Sequence, residues 1–150
     1  MIPNRSSPTA TVIPVLTYAD VAEASEWLCE AFGFRERLRI GHHRVQLVFG
    51  DGAVIVTERS APANGPGTAS AQTSHGEFTT HSVHVRVEDA TAHHAQAVDH
   101  GARIIRELAD HPYGERQYSA VDIGGHVWTF SQSIADVDPA SWGGTAMDLG

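Results

Sequence analysis

The sequence predicts an α+β domain made from two copies of one βαβββ unit, and three observations carry that prediction. Val83, Val85 and Val87 alternate with His84 and Arg86, which is the two-residue period of a half-buried strand. Asp89 follows as a helix N-cap, Ala92, Ala95 and Val98 share one face of the helix it starts, and Gly101 stands where a left-handed C-cap ends it. The same order of strand, Asp cap, helix and Gly stop occurs once before, with Asp20 lying 69 residues ahead of Asp89 and Gly33 lying 68 ahead of Gly101. Repetition at that scale defines two modules with something built between them.

Residues 1–10 are polar, carry two prolines and read as a loose arm. Residues 11–18 form the first strand, with Pro14 marking an edge or a bulge. Beyond the Asp20 cap, Ala24, Trp27, Leu28 and Ala31 fall on one buried helix face. Three strands follow at 35–40, 43–49 and 53–57, joined by Gly41-His42 and by an Asp51-Gly52 hairpin, so the first module spans 11–58. Residues 59–80 have the composition of a linker. The second module, 81–132, repeats the order with a strand at 82–87, a helix at 89–100 and strands at 103–106, 117–121 and 126–131. Asp122-Ile123-Gly124-Gly125 makes its last turn, and in the tail, 133–150, Trp142 marks one turn docked on the surface.

Composition bounds the function. A chain of 150 residues with 41% hydrophobic and 19% charged residues is one globular domain that needs no covalent staples. The one cysteine, Cys29, excludes an internal disulfide, favours a reducing compartment and reads as a small core residue on the first helix. The first ten residues lack the apolar run of a signal peptide and no stretch reaches 18 apolar residues, so the expectation is a cytoplasmic protein without a membrane partner. A net charge of −8 argues against nucleic acid, which requires a basic footprint, and is compatible with a cationic ligand. No serine lies in a Gly-x-Ser-x-Gly context. His42, His43, His93, His94, His100 and His111 are assigned to turns or exposed helix faces, and no compact His/Asp/Glu cluster is legible.

The two modules, with Tyr18-Ala19-Asp20 before Glu26-Trp27-Leu28 and Ala31-Phe32-Gly33-Phe34, then Val85 to Asp89, His100-Gly101-Ala102, Pro112 to Arg116 and Asp122 to Phe130, resemble the vicinal oxygen chelate superfamily. This superfamily includes glyoxalase I, the extradiol dioxygenases and the fosfomycin- and bleomycin-resistance proteins. The resemblance covers residues 11–132 and implies that the modules wrap their sheets into facing concave surfaces. It also implies metal ligands, usually His and Glu, on the first and last strand of each module. Counted onto this chain, those positions are Ile13, Ile55, Ser82 and Thr129. Two isoleucines and two neutral hydroxyls cannot hold a divalent cation, so neither a metal nor another cofactor is expected.

Given that architecture, alternation places Val12, Leu16, Val54, Val56, Val83, Val85, Val87, Trp128 and Phe130 beneath the helices. It places Ile13, Val15, Ile55, Thr57, Ser82, His84, Arg86, Val127, Thr129 and Ser131 on the concave side, apolar in the first module and polar in the second. Tyr113 and Arg116 sit in the loop before the last hairpin and are candidates to reach over the cavity mouth. The ligand-binding candidates are therefore His84 and Arg86 first, then Ser82, Thr129, Ser131, Ile13, Ile55, Thr57, Tyr113 and Arg116. The resemblance with the ligand positions lost points to a metal-independent binder of an antibiotic-like small molecule. The alternatives are a lyase or isomerase with His84 as general base and Arg86 holding an anion, or a glyoxalase- or dioxygenase-type enzyme with a displaced metal. Homodimerisation, with or without swapped modules, is also implied by the resemblance.

Overall fold

The computed structural model describes residues 1–59 and 80–150. The expected linker, apart from its two end residues, lies outside them. The first module contains β1 (Val15–Tyr18), α1 (Val21–Phe32), β2 (Arg35–Ile40), β3 (Arg44–Phe49) and β4 (Gly52–Glu58), in the sheet order β1-β4-β3-β2. The second contains β5 (Val83–Arg86), α2 (Ala90–Asp99), β6 (Arg103–His111), β7 (Glu115–Val121) and β8 (Val127–Ser133), in the order β5-β8-β7-β6. In each sheet the first strand runs parallel to the last and the other pairs are antiparallel. The predicted βαβββ repeat is the observed fold.

Local chemistry explains the helix ends. Asp20 accepts from the Glu23 amide and Asp89 from the Ala92 amide, each at 3.0 Å, satisfying donors that the first helical turn leaves free. Gly33 ends α1 at φ +83°, where a side chain would be strained.

Three expectations need correction. The first strand begins at Val15 rather than residue 11, because Pro14 has no N–H to donate and serves only as an acceptor for the Ile55 amide. Val12 is consequently 80% exposed instead of lying in the core. Phe49 pairs with Gly52, so the hairpin turn is Gly50-Asp51, one residue earlier than expected, with Gly50 supplying the positive φ. On α2, Ala90 and Ala97 are buried with His93 and His94 half-buried between them, while Ala92, Ala95 and Val98 are exposed. The N-terminal arm rests on the first sheet: Pro8 is buried, and the carbonyls of Arg5 and Ser6 accept hydrogen bonds from β2 and β3.

One core joins the modules. Leu16, Leu47 and Val56 from the first sheet and Tyr118, Trp128 and Phe130 from the second belong to a single buried cluster with Leu28 and Phe32 of α1. The Phe32 ring lies 5.5 Å from that of Trp128 and 4.7 Å from that of Phe130. The helices meet directly, with Trp27 Nε1 donating to the His100 carbonyl at 2.8 Å and Gln96 Nε2 to the Glu30 carbonyl at 2.7 Å. Both sheets thus turn their helix-side faces to a shared core and their outer faces away from it. The tail contains one 3-10 turn, Pro139–Trp142, whose Trp142 ring packs 5.3 Å from that of Tyr113.

Candidate functional site

The repeat creates two related positions where one module's last hairpin meets the other module's first strand and helix start. At the first, the β7–β8 turn meets the end of β1, and side chains fill it. The buried Asp122 carboxylate accepts from the Tyr18 hydroxyl at 2.5 Å, from Trp128 Nε1 at 2.9 Å, and from the Gly124 and His126 amides at 2.9 Å each. His126 Nε2 donates to the Thr17 carbonyl at 2.8 Å while its ring lies 4.7 Å from that of Tyr18. Burial, then the facing Asp122 charge, pushes the Tyr18 hydroxyl pKa up. About 320 Å³ of cavity remains beside this network.

The second position is open. Val87, two residues before its Asp cap, takes the place of Tyr18, and Phe49, closing its hairpin, takes that of Asp122. Neither can make the polar bridge, and a cleft of about 920 Å³ lies between the β3–β4 turn, β5 and the start of α2. Its apolar lining includes Phe34, Phe49, Val54, Val83 and Val85. His84, Arg86, Asp51, Glu88 and Asp89 also line it, so carboxylates outnumber the one fixed cation. His84 and Arg86 are exposed and make no hydrogen bond or ion pair among the described residues.

His93, which composition and spacing assigned to solvent, lines the same cleft. Its Nε2 lies 2.8 Å from the Phe32 carbonyl and its Nδ1 2.5 Å from the Tyr118 hydroxyl. The neutral tautomer with the proton on Nε2 satisfies both: Nε2–H donates to the carbonyl and Nδ1 accepts from Tyr118. Burial lowers the His93 pKa, favouring that neutral form. With both nitrogens engaged, His93 joins the modules and has none left to act as a base in the cleft.

The outer face of the second sheet continues from the cleft rim. Register sets Thr129 beside His84 and Ser131 beside Arg86. Ser119 and Thr129 share a hydrogen bond of 2.7 Å. A relay runs from the Tyr113 hydroxyl to Gln117 Oε1 (2.8 Å), from Gln117 Nε2 to Ser131 Oγ (3.2 Å), and from that hydroxyl to Glu115 Oε1 (2.6 Å). Glu115, Gln117 and Ser119 are floor residues that the sequence reading passed over, although their alternation with Arg116, Tyr118 and Ala120 carries the signal.

The remaining candidates separate. Ile55 is buried and Thr57 donates to the His43 carbonyl at 3.2 Å, both on the first sheet. Ile13 is half-buried ahead of β1, and Ser82 is exposed just before β5. The two outer faces lie on opposite sides of one core, so the chain does not set its two concave walls against each other. Tyr113 does not cover the cleft, being fixed between the rings of His111 and Trp142 at 5.1 and 5.3 Å. Arg116 points from the other face of β7 and is tied to Asp110 by a two-pronged pair at 2.7 and 3.1 Å, an ordinary cross-strand contact.

A metal of the kind the resemblance implies does not fit this donor set. Ile13 and Ile55 offer no donor atom, Ser82 lies beyond the strand, and Thr129 is committed to Ser119. Among the described residues, no three His, Cys, Asp or Glu side chains are grouped to hold a metal ion. No helix among them is long and apolar enough to cross a membrane.

The fold and the paired inter-module positions define a two-module βαβββ protein of the vicinal oxygen chelate class. The profile of the Glyoxalase/Bleomycin resistance protein/Dioxygenase superfamily matches residues 11–130, and the chain belongs to that family. It is similar to TioX from Micromonospora sp. ML1, with 33% identity, a TM-score of 0.65, and 81% of this chain and 97% of that one covered. An uncharacterised protein of Mycobacterium bovis is 26% identical over 129 residues, covering 83% of this chain and 84% of that protein. The fosfomycin resistance protein FosX of Listeria monocytogenes shares the fold alone, at 10% identity and a TM-score of 0.60, with 81% and 88% covered.

Proposed function

We propose that this protein binds a small molecule in the cleft between its modules, without a metal and without making or breaking a bond in the ligand. One observation carries the reading. Of two equivalent inter-module positions, one is filled by a buried polar bridge, while the other is an open cleft of about 920 Å³ with apolar walls and a polar rim. That volume and lining suit a small-molecule site, typically 300–1,000 Å³ and mostly apolar with a few placed polar groups. His84 and Arg86 supply the rim contacts, with Thr129 and Ser131 beside them in register. The excess of carboxylates favours a neutral or cationic ligand. The outer faces of the two sheets look away from each other, so a second copy of the chain supplies the facing wall that the resemblance implies, as a homodimer.

The test is equilibrium dialysis in chelator against a panel of planar aromatic and cationic antibiotics, repeated with Ala92→Trp. Ala92 is exposed on α2 and lines the cleft, so an indole there fills it while sparing the core. Binding that Ala92→Trp abolishes supports the reading; no binding across the panel, with no protection of a sensitive host, sinks it. A second reading, proton abstraction by His84 beside Arg86, draws on the absence of any partner for either side chain among the described residues. Turnover surviving His84→Ala in chelator excludes it.

A further inference from the structure

The N-terminal arm lies on the outer face of the first sheet, and its mode of attachment is specific. Arg37 Nη2 donates to the Arg5 carbonyl at 2.9 Å and Gln46 Nε2 donates to the Ser6 carbonyl at 3.0 Å. Arg37 Nη1 also donates to Gln46 Oε1 at 2.6 Å, so the two donors fix each other. Gln46 is only 5% exposed although it lies on the outer face, opposite Ile55, and Pro8 is buried. The arm forms no strand. Its Ser6 and Ser7 amides turn back to the Asn4 side chain and carbonyl, so these two side-chain donors hold its backbone.

We propose that Arg37 and Gln46 form a binding site for turn-forming, proline-bearing peptide segments, and that residues 4–8 occupy it in cis as a displaceable strap. Two consecutive backbone carbonyls are read by side chains and the proline that follows is buried, so recognition depends on peptide acceptors and on that proline, not on the arginine and serine side chains before it. A guanidinium and a carboxamide locked together keep their geometry when the strap leaves. The proposal goes beyond the ligand cleft and does not depend on it.

Limited trypsin digestion of the full chain tests the proposal, because the carbonyl of the Arg5–Ser6 bond is the one Arg37 holds. Cleavage there is slow in the wild type and at least about tenfold faster in Arg37→Ala and Gln46→Glu, each of which removes one carbonyl donor. An uncut Arg44–Val45 bond in β3 reports that the variants remain folded. The acetylated hexapeptide Asn-Nle-Ser-Ser-Pro-Thr-amide, which trypsin cannot cut, speeds cleavage of the wild type at roughly 10 mM, enough to compete with a tethered segment. Wild-type cleavage as fast as in the folded variants overturns the strap. A protected bond that the peptide does not expose overturns the binding site, and that competition on the wild type decides the matter even if both variants unfold.

Discussion

Asp122 accepts four hydrogen bonds with its two oxygens and is buried. Asp122→Asn replaces one oxygen with a donor facing either the Tyr18 hydroxyl and Trp128 Nε1 or the two turn amides. A loss of about 3 kcal/mol is expected, against about 1 kcal/mol for Tyr18→Phe, which removes one bond. Urea unfolding of the two variants measures both. His93 gives a pH dependence. Burial lowers its folded pKa, so the unfolded chain binds the proton more readily. Its contribution is therefore complete above about pH 6.5 and is lost as pH falls. The urea midpoint is expected to fall from pH 7 to pH 5, and His93→Gln to flatten that slope. In the sequence Asp122 was legible only as a turn residue and His93 not at all, because each acts through a partner more than 20 residues away in the chain.

At the scale of elements, both caps, the Gly33 stop and the strand alternation were legible because their causes lie within a few residues. The α2 face was misread because its alanines offer little contrast. The face spaced 90, 93 and 97 is buried because His93 satisfies both ring nitrogens there, whereas the more uniformly apolar face stays in solvent. The arm was equally opaque, since its hold depends on side chains of β2 and β3. Gly124 shows how closely the filled inter-module position is packed: a Cβ there would overlap the Tyr18 ring. Gly124→Ala is expected to displace Tyr18 from Asp122 and cost about 2 kcal/mol. A drop in melting temperature without change at the open cleft is the measurable outcome.

The whole molecule uses one repeat for two ends. At one inter-module position Tyr18, Asp122 and His126 lock the halves together; at the other, Val87 and Phe49 leave an opening. The repeat itself was legible from the spacing of its Asp and Gly residues. Which inter-module position stays open was not, because it depends on which side chains meet across the modules. Binding without a metal is tested by one titration of a panel ligand by calorimetry, in EDTA and again with excess Zn²⁺, Mn²⁺ or Fe²⁺. The same affinity is expected in all conditions, with its loss in Ala92→Trp; binding that appears only when a divalent metal is restored rules out metal-independent binding.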